Sequence, residues 1–371
     1  METSSDFRDL LATSGIPYDV EHLNVLKSTN HPVALYGASD DVADPIVKTL
    51  AKHGVQVKMV LYDDDSPVMT DSSPLLKDLE KIHLKDVDKR FKAYHVVIGF
   101  VKGYPREREI MGKLKYAYTV GYLSEIFDLE TITGDFIFEN YHFLKDFFEG
   151  FGDLRSKESF IAYMKSKIFQ DMKFLPPVFE KVQYFPPGIF ELTDHESFFD
   201  CGAFVGDTVA GFLKATGGAY KRIWAAEPDR ANYTKLVQYV EGEKLTNIET
   251  INKGIYDCVG ELPFREEGTM LSMLSENSDH HIEVDTIDNI TAGKPVTFIK
   301  LDVEGAELQA LKGAEKTIRK YKPILAVSIY HKKNDLIAIP KYIKEIAPKY
   351  KFYFRTHKKL AIDAVLYCVV K

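Results

Sequence analysis

The sequence predicts an α/β protein with two sheets, the second of which has seven strands and is mostly parallel. Strand-turn-helix-strand patterns begin near Val33 and again near Phe198. From Phe198 onward, apolar strands and amphipathic helices alternate almost without interruption, as in layered α/β folds. The last two predicted strands, 352–355 and 364–370, have no helix between them, which indicates a terminal antiparallel hairpin.

The chain length and composition predict more than one domain. With 371 residues, of which 45% are hydrophobic, the chain can bury large cores. We expect a Rossmann-like α/β domain at 1–130, a helical connector at 131–190, which is rich in aromatic residues and proline, and the larger α/β domain at 191–371. In the first domain the patterns predict a short helix at 6–12, strands at 33–36, 55–62 and 95–100, and a helix at 42–53.

The larger domain is predicted to have seven strands and four helices. The strands are expected at 198–201, 223–226, 248–255, 296–303, 324–330, 352–355 and 364–370, and the helices at 209–215, 230–241, 306–321 and 336–347. Five parallel strands with crossovers, followed by the hairpin, complete a seven-stranded sheet.

Charge and cysteine usage exclude several classes of protein. A net charge of −7 argues against a nucleic-acid partner, which needs a basic excess. The three cysteines, Cys201, Cys258 and Cys368, form no C-x-x-C pair and predict buried thiols in a reducing compartment, with no disulfide framework or zinc site. The first ten residues show neither a basic n-region nor an apolar h-region, and no run of about 18 apolar residues occurs, so we expect no signal peptide, no membrane span and a cytoplasmic location.

The segment D-C-G-A-F-V-G-D-T, residues 200–208, predicts a site for a nucleoside cofactor. An apolar strand leads into Asp200, Gly202 and Gly206, and a helix begins at Asp207-Thr208. A strand, a glycine turn and a helix N-terminus let the backbone approach such a ligand closely. About twenty residues later, the next strand ends at Glu227, where a carboxylate can accept the hydroxyls of a ribose.

The spacing of this loop favours S-adenosylmethionine over a dinucleotide. A dinucleotide fingerprint requires G-x-G-x-x-G, whereas this loop reads Asp200-x-Gly202-x-x-x-Gly206. A carboxylate before the loop repels a pyrophosphate but suits an amine and a sulfonium. The first domain's loop, G-A-S-D-D-V, has Ser39 and Val42 in place of glycines, which favours packing, dimerisation or acceptor docking there over nucleotide binding.

The segment I-K-L-D-V-E-G-A-E, residues 299–307, predicts the acceptor side of the site. In an extended strand, Lys300, Asp302 and Glu304 face the same side, and ligands bind beyond the carboxyl ends of strands. A structural Asp302–Lys300 ion pair is the alternative. His331 ends the next strand and is the candidate general base, since its unperturbed pKa lies nearest neutrality. No metal site is expected, because the adjacent His280 and His281 point to opposite faces.

These motifs together resemble those of the FkbM family of S-adenosylmethionine-dependent methyltransferases. The resemblance rests on D-C-G-A-F-V-G-D-T, A-A-E-P-D, V-D-T-I-D, F-I-K-L-D-V-E-G-A-E-L and S-I-Y-H-K, which follow one another in the family's order over about 184–371. It implies a class I methyltransferase fold and methylation of an oxygen, commonly on a sugar or a polyketide-type natural product.

The predicted roles follow from the residues and the resemblance together. The predicted catalytic residues are His331, Asp302, Glu304 and Lys300. The predicted cofactor-binding residues are Asp200, Gly202, Ala203, Gly206, Asp207, Thr208, Glu227 and, for the adenine amino group, Asp257.

Other interpretations of the sequence stay open. They are an NAD(P)-dependent sugar oxidoreductase or epimerase, a non-catalytic scaffold, and transfer to nitrogen instead of oxygen. The expected partner is a small-molecule or glycan acceptor, with a homo-oligomer possible through the N-terminal domain.

Overall fold

The computed structural model describes residues 18–37, 40–64, 75–99, 110, 112–121, 132–169, 174–265, 273–274, 280–357 and 363–370. The chain divides into two compact units. One comprises 12–131 and 165–176, and the other comprises 1–11, 132–164 and 177–371. The predicted helix 6–12 lies outside the described residues. The division into a first domain, a connector and a larger domain stays a prediction.

The unit formed by 12–131 and 165–176 contains a five-stranded parallel sheet in the order β3-β2-β1-β4-β5. Its elements are α1 (Tyr18–Ser28), β1 (Val33–Tyr36), α2 (Asp40–Lys52), β2 (Val57–Tyr62), β3 (Glu80–His83), α3 (Leu84–Arg90), β4 (Tyr94–Ile98) and β5 (Ala117–Gly121). The central strands are apolar and buried, as expected for strands covered on both faces. The short strands β3 and β5 were not predicted, and assignment to the Rossmann-like class stays a prediction.

Three helices precede the larger sheet. They are α4 (Gly134–Glu139), α5 (Tyr141–Glu149) and α6 (Leu154–Phe169), followed by a 3-10 turn at Pro176–Val178. The aromatic residues of this segment contribute to the core: Phe147 and Phe160 are buried, with ring centroids 5.7 Å apart. Phe147 lies 5.6 Å from Phe352, and Phe160 lies 5.3 Å from Phe354, on a strand of the larger sheet. These aromatic contacts fix the helices against the sheet that holds the site.

The larger sheet has seven strands in the order β15-β16-β14-β13-β6-β7-β8. Its elements are β6 (Ser197–Cys201), α7 (Asp207–Ala215), β7 (Arg222–Ala226), α8 (Arg230–Gly242), β8 (Ile248–Ile251), α9 (Ile287–Thr291), β13 (Phe298–Leu301), α10 (Glu307–Lys312), α11 (Glu315–Tyr321), β14 (Ile324–Ser328), α12 (Asp335–Ile346), β15 (Lys351–Thr356) and β16 (Ala364–Val369). Strands β6, β7, β8, β13 and β14 are parallel, and β16 is antiparallel to its neighbours β14 and β15. The predicted mostly parallel sheet with a terminal hairpin is confirmed.

The prediction of one strand over 248–255 was wrong. Strand β8 ends at Ile251, and β9 (Gly254–Ile255) joins a separate sheet with β10 (Gly260–Arg265), β11 (Met273–Leu274) and β12 (His281–Asp285), in the order β11-β10-β12-β9. The polar Asn252 separates the two strands, and its side chain donates to the carbonyls of Glu227 (2.9 Å) and Pro228 (3.0 Å). The apolar pattern of 248–255 does not reveal that Asn252 interrupts the strand to bind the backbone that follows β7.

The predicted helix 306–321 is two helices, α10 and α11. They are separated at Gly313, where a Cβ atom would lie 2.0 Å from the carbonyl oxygen of Tyr256. Close packing of another backbone segment therefore explains the glycine and the break.

The structure also bears on membrane and disulfide predictions. Among the described residues, none of the helices has the length and apolarity needed to cross a bilayer. Cys201 and Cys368 are buried free thiols, and Cys258 is an exposed free thiol. The prediction that all three thiols are buried was therefore wrong for Cys258.

Candidate active site

The predicted functional residues follow strands that are neighbours in the larger sheet. The local order is β14-β13-β6-β7, with Cys201 opposite both Leu301 and Ala226 in register. Parallel strands end at the same edge of a sheet, so the loops that follow β6, β7, β13 and β14 meet there. The predicted cofactor loop and the predicted acceptor residues are thereby brought to one edge.

The loop after β6 is a sharp turn made of left-handed residues. Gly202, Phe204 and Gly206 have φ values of +78°, +48° and +93°. The N–H groups of Gly202 and Ala203 donate to the carbonyl of Ala226, at 3.0 and 2.9 Å. The turn is therefore tied to the end of β7 before the chain enters α7.

Close packing explains both glycines of this loop. A Cβ atom at Gly202 would lie 2.0 Å from the carbonyl oxygen of Asp302, and one at Gly206 would lie 2.5 Å from Cδ1 of Tyr239. Gly206 is the N-cap residue of α7 and uses its left-handed conformation to start that helix. The glycines thus bring the loop backbone against the end of β13 and against α8, as their spacing predicts.

Glu227, at the end of β7, holds the loop through its carboxylate. Oε2 accepts the N–H of Phe204 at 2.9 Å, and Oε1 accepts the N–H of Asp229 at 3.0 Å. Its side chain is almost fully buried. Burial raises the pKa of Glu227 to about 7, although the two N–H donors oppose this shift. Asn252 fixes the same corner by donating to the carbonyls of Glu227 and Pro228.

Lys300 forms its ion pair with Asp200 and not with Asp302. The distance from Nζ to Oδ1 of Asp200 is 3.2 Å, and both side chains are buried. Nζ also donates to the carbonyls of Cys201 (3.2 Å) and Gly202 (2.6 Å). Burial raises the pKa of Asp200 to about 6, because it outweighs the opposing charge of Lys300. Lys300 therefore holds the start of the cofactor loop.

The expectation that Lys300, Asp302 and Glu304 face one side of a strand was wrong. Strand β13 ends at Leu301, so the alternation of an extended strand does not reach the two acids. Glu304 has a left-handed backbone, with φ of +52°. Asp302 and Glu304 instead project from the loop between β13 and α10.

Two tyrosines hold the carboxylate of Asp302. The hydroxyl of Tyr184 donates to Oδ2 at 2.7 Å, and that of Tyr330 donates to Oδ1 at 3.2 Å. Burial raises the pKa of Asp302, but the positive charges of Lys300 and His331 and the hydrogen bonds outweigh it, so the pKa lies below its usual value. Asp302 is thus an ionised carboxylate with a fixed orientation.

His331 lies among three carboxylates. Nε2 is 3.2 Å from Oε2 of Glu304 and 3.7 Å from Oδ1 of Asp302, and Nδ1 is 3.0 Å from Oε1 of Glu307. Burial lowers the pKa of His331, but Glu307 and then Glu304 raise it more, so the imidazole holds a proton well above its usual range. Burial raises the pKa of Glu304. The acids after β13 and the histidine after β14 form one charged cluster, as predicted.

The remaining predicted residues are distributed unevenly. Ala203 is buried in the loop, Asp207 is exposed in the first turn of α7, and Thr208 is buried beside it. Asp257 is exposed and follows β9 of the small sheet instead of ending a strand of the larger sheet. The role proposed for Asp257 in the sequence analysis rested on the strand assignment 248–255, which was wrong.

Three residues of the site were missed or given no role in the prediction. Tyr184 lies 118 positions before its partner Asp302, and Glu307 was quoted only as part of a motif. Asn252 sits within a strand pattern. The signal for Glu307 was its place at the start of a helix beside a predicted site, whereas nothing in the sequence indicates the partners of Tyr184 or Asn252.

Comparison with known families decides what this arrangement is. The model of the methyltransferase FkbM domain matches residues 200–350, which contain the glycine loop, Glu227 and the charged cluster. Residues 200–350 are an FkbM methyltransferase domain. The FkbM resemblance inferred from the motifs is therefore confirmed, and the FkbM domain match does not favour the oxidoreductase alternative.

Solved structures resemble the chain to different extents. The crystal structure of the methyltransferase FkbM from Methylobacillus flagellatus KT covers 99% of both chains at 22% identity, with a TM-score of 0.74. An rRNA methylase from Streptococcus thermophilus covers 48% of this chain and 89% of its own at 17% identity, with a TM-score of 0.33. Fibrillarin from Aeropyrum pernix, in complex with S-adenosyl-L-methionine, covers 49% and 70% at 15% identity, with a TM-score of 0.32. Among curated proteins, none matches the sequence.

The FkbM domain has groups that fit S-adenosylmethionine. Gly202 and Gly206 let the loop backbone pack against Asp302 and Tyr239 in the left-handed conformation that turns the chain toward the start of α7. The first turn of α7 offers N–H groups without intrahelical partners, which suit a carboxylate. Glu227 lies at the end of the second strand, where a ribose is bound in folds of this type. The donor groups present match an amino acid at one end and a nucleoside at the other.

Proposed function

We propose that the FkbM domain is an S-adenosylmethionine-dependent O-methyltransferase that acts on a hydroxyl of a sugar, glycan or other natural-product acceptor. The observation that supports this proposal is the meeting of the Glu227-bound glycine loop with the cluster around Asp302 at one sheet edge. When bound, the cofactor supplies a methyl group that is already activated by its positive sulfur. The protein's own work is then to align the partners, exclude water and accept a proton.

On the donor side, the loop and its partners hold the cofactor. The N–H groups at the start of α7, beside Gly206 and Thr208, bind the carboxylate of its amino-acid end. Glu227 accepts the ribose hydroxyls through lone pairs that its two N–H donors leave available. Asp200 acts through Lys300, which donates to the Gly202 carbonyl and so fixes the path of the loop.

On the acceptor side, the roles differ among the charged residues. Asp302 is fixed and ionised, so it accepts a hydrogen bond from the acceptor and orients it. Glu304 is partly exposed and has a raised pKa, which makes it the carboxylate best suited to take the hydroxyl proton. His331 supplies the neighbouring positive charge that stabilises both carboxylates. In this proposal His331 supports the base and is not the base itself.

A hydroxyl acceptor fits the carboxylates of the cluster. Carboxylates accept hydrogen bonds from hydroxyl groups, and the hydroxyls of a sugar offer several donors. Buried contacts such as Lys300–Asp200 and Tyr184–Asp302 hold the predicted donor and acceptor residues in place. This arrangement supports an enzyme more than a non-catalytic scaffold. Cytoplasmic location and association through the N-terminal unit stay predictions.

Calorimetric titration tests the cofactor. We expect S-adenosylhomocysteine to bind the wild-type protein in the micromolar range and NADH to give no heat of binding. Glu227→Ala should lose binding at least a hundredfold, because ribose recognition and the position of the loop both depend on this carboxylate. Glu249→Ala, at an exposed glutamate of β8, is the matched control and should bind as the wild type does. Saturable binding of NADH alone would refute the proposal.

A further inference from the structure

The charged cluster after β13 and β14 has the dimensions of a metal site. One donor atom from each of Asp302, Glu304 and His331 lies within 4.8 Å of the other two. Ligand atoms bound to one ion at about 2.0–2.2 Å lie about 3–3.5 Å apart when they occupy neighbouring positions. Nε2 of His331 is 3.2 Å from the Glu304 carboxylate and 3.7 Å from that of Asp302. Small side-chain adjustments therefore place all three atoms around an ion.

The orientation of His331 is independent evidence for a ligand. Its side chain is only 10% exposed, yet within the described residues neither ring nitrogen makes a hydrogen bond of good geometry. Nε2 makes a hydrogen bond of good geometry with neither the Glu304 nor the Asp302 carboxylate, although both lie within 3.7 Å. Nδ1 lies 3.0 Å from Oε1 of Glu307, so a small rotation of the ring would complete the carboxylate–histidine hydrogen bond that orients metal-bound histidines.

Glu307 is itself held in place. It is fully buried, and Oε1 accepts the N–H groups of Val303 at 2.9 Å and Gly305 at 3.3 Å. The loop that presents Asp302 and Glu304 is therefore fixed by the same carboxylate that faces His331. A single group outside the cluster positions all three candidate ligands.

Asp302 has its own supporting contacts. Tyr184 occupies Oδ2 at 2.7 Å, which turns Oδ1 toward His331. Hydrogen bonds of this kind to ligating carboxylates are typical of metal centres. Two of the three candidate ligands thus have a dedicated partner that sets their direction.

We propose that Asp302, Glu304 and His331 bind a divalent transition-metal ion of the Mn²⁺ or Zn²⁺ class. Two carboxylates and one imidazole suit such ions, whereas Mg²⁺ prefers oxygen ligands alone. Three protein ligands leave coordination positions open. The role of the ion rests on the proposed function: it would take the place of the positive charge of His331, which binds it as a neutral imidazole. It would lower the pKa of an acceptor hydroxyl, whose proton passes to the carboxylate oxygen of Glu304 that does not bind the ion. This replaces the sequence-based expectation that the chain has no metal site.

Titration with the metal alone tests the site. The full-length protein is prepared with a chelator, dialysed, and titrated with MnCl₂, and free Mn²⁺ is followed by its electron paramagnetic resonance signal. ZnCl₂ is titrated by calorimetry in parallel. We expect one site per chain, and at least tenfold weaker binding in Asp302→Asn, Glu304→Gln and His331→Ala. Glu307→Gln, a positioning change, should weaken binding about 10- to 100-fold.

A control and a second measurement keep the result interpretable. Glu283→Gln, at an exposed carboxylate of β12, should bind metal as the wild type does. Thermal unfolding by circular dichroism identifies any variant that fails to fold, and the remaining ligand variants then decide. The proposal would be overturned if neither ion bound to the wild type. It would also be overturned if all three ligand variants bound the metal as tightly as the wild type does.

Titration with S-adenosylhomocysteine on the same samples separates the two proposals. Metal binding without binding of the homocysteine compound would leave the metal site standing and refute the proposed function. The reverse result would refute the metal site alone.

Discussion

Lys300 and Asp200 form an ion pair across neighbouring strands in the centre of the larger sheet, with 3.2 Å between Nζ and Oδ1. The two residues are opposite each other in the register of β13 and β6. Lys300 uses its other donors on the carbonyls of Cys201 and Gly202. The pair therefore connects the strand that leads to the acceptor side with the loop predicted to hold the cofactor.

Lys300→Met should reduce the free energy of unfolding by about 3–5 kcal/mol at pH 7.5, because Asp200 is left as a buried charge without a partner. The loss should be smaller near pH 5, where Asp200 can bind a proton. Urea unfolding measures both values. The double variant with Asp200→Asn should recover part of the loss, and Lys312→Met, at an exposed lysine of α10, should change little. A loss below about 1 kcal/mol for Lys300→Met would contradict the prediction.

Gly202→Ala should abolish binding of S-adenosylhomocysteine and destabilise the protein. Its Cβ would lie 2.0 Å from the Asp302 carbonyl, in addition to the strain of a φ of +78°. Gly218→Ala is the matched control, since Gly218 has a φ of +84° but no atom within 4 Å of the position that a Cβ would occupy. The control should cost only about 1–2 kcal/mol of backbone strain and keep the ligand. If Gly202→Ala and Gly218→Ala had equal effects on ligand binding in calorimetry and on stability in urea unfolding, the contact with Asp302 would be unimportant.

The affinity for S-adenosylhomocysteine should rise with pH because Glu227 must be ionised to accept the ribose hydroxyls. Its pKa is raised to about 7, so the carboxylate is mostly protonated below that value. Affinity falls about tenfold for each pH unit below the pKa, which gives a decrease of about thirtyfold between pH 8 and pH 5.5. Calorimetry across this range measures it. Glu227→Gln should bind weakly with no such dependence, and a flat wild-type profile would argue against ribose contact.

The same shift has the opposite sign for stability. Glu227 has a higher pKa in the folded protein than in the unfolded chain, so its contribution favours folding below about pH 4.5 and is lost as the pH rises through about 7. The free energy of unfolding of Glu227→Gln should therefore increase relative to that of the wild type between pH 5 and pH 8, because only the wild type loses this contribution. Urea unfolding at several pH values tests this change, and a constant difference would contradict the raised pKa.

Tyr184→Phe should destabilise the protein by about 1–2 kcal/mol, because the Oδ2 atom of Asp302 loses its donor. Tyr330→Phe should cost less, since its hydroxyl is 3.2 Å from Asp302, compared with 2.7 Å for Tyr184. The order of the two losses is measured by urea unfolding. Tyr233→Phe, whose hydroxyl has only longer contacts with Thr250, serves as the control. A larger loss for Tyr330→Phe than for Tyr184→Phe would reverse the assignment.

Much of the larger domain was predictable because its signals are local. Parallel strands buried on both faces read as apolar runs, and the residues after them belong to one sheet edge, so Asp200, Glu227 and Asp302 could be placed from the sequence. The end of a strand is not fixed by its pattern. For that reason Lys300, Asp302 and Glu304 were wrongly placed on one face when β13 was extended past Leu301.

Other parts of the site depend on contacts that sequence spacing does not encode. Tyr184 reaches Asp302 from a connector with no regular pattern, and its left-handed backbone, with φ of +62°, cannot be read from a tyrosine. In the sequence, β9 of the small sheet follows β8 so closely that the apolar pattern predicts one strand over 248–255. Glu307 faces His331 after the turn at Gly305, whose φ is +91°. The sequence predicts a turn at this glycine but not the direction in which the chain leaves it.

The contact between Gly202 and the Asp302 carbonyl concerns main-chain atoms on both sides. A spacing set by backbone does not change when the surrounding side chains are replaced. For the proposed methyl transfer, this means that changes in the side chains around the acceptor alter which molecule is bound without altering the spacing between the cofactor loop and β13.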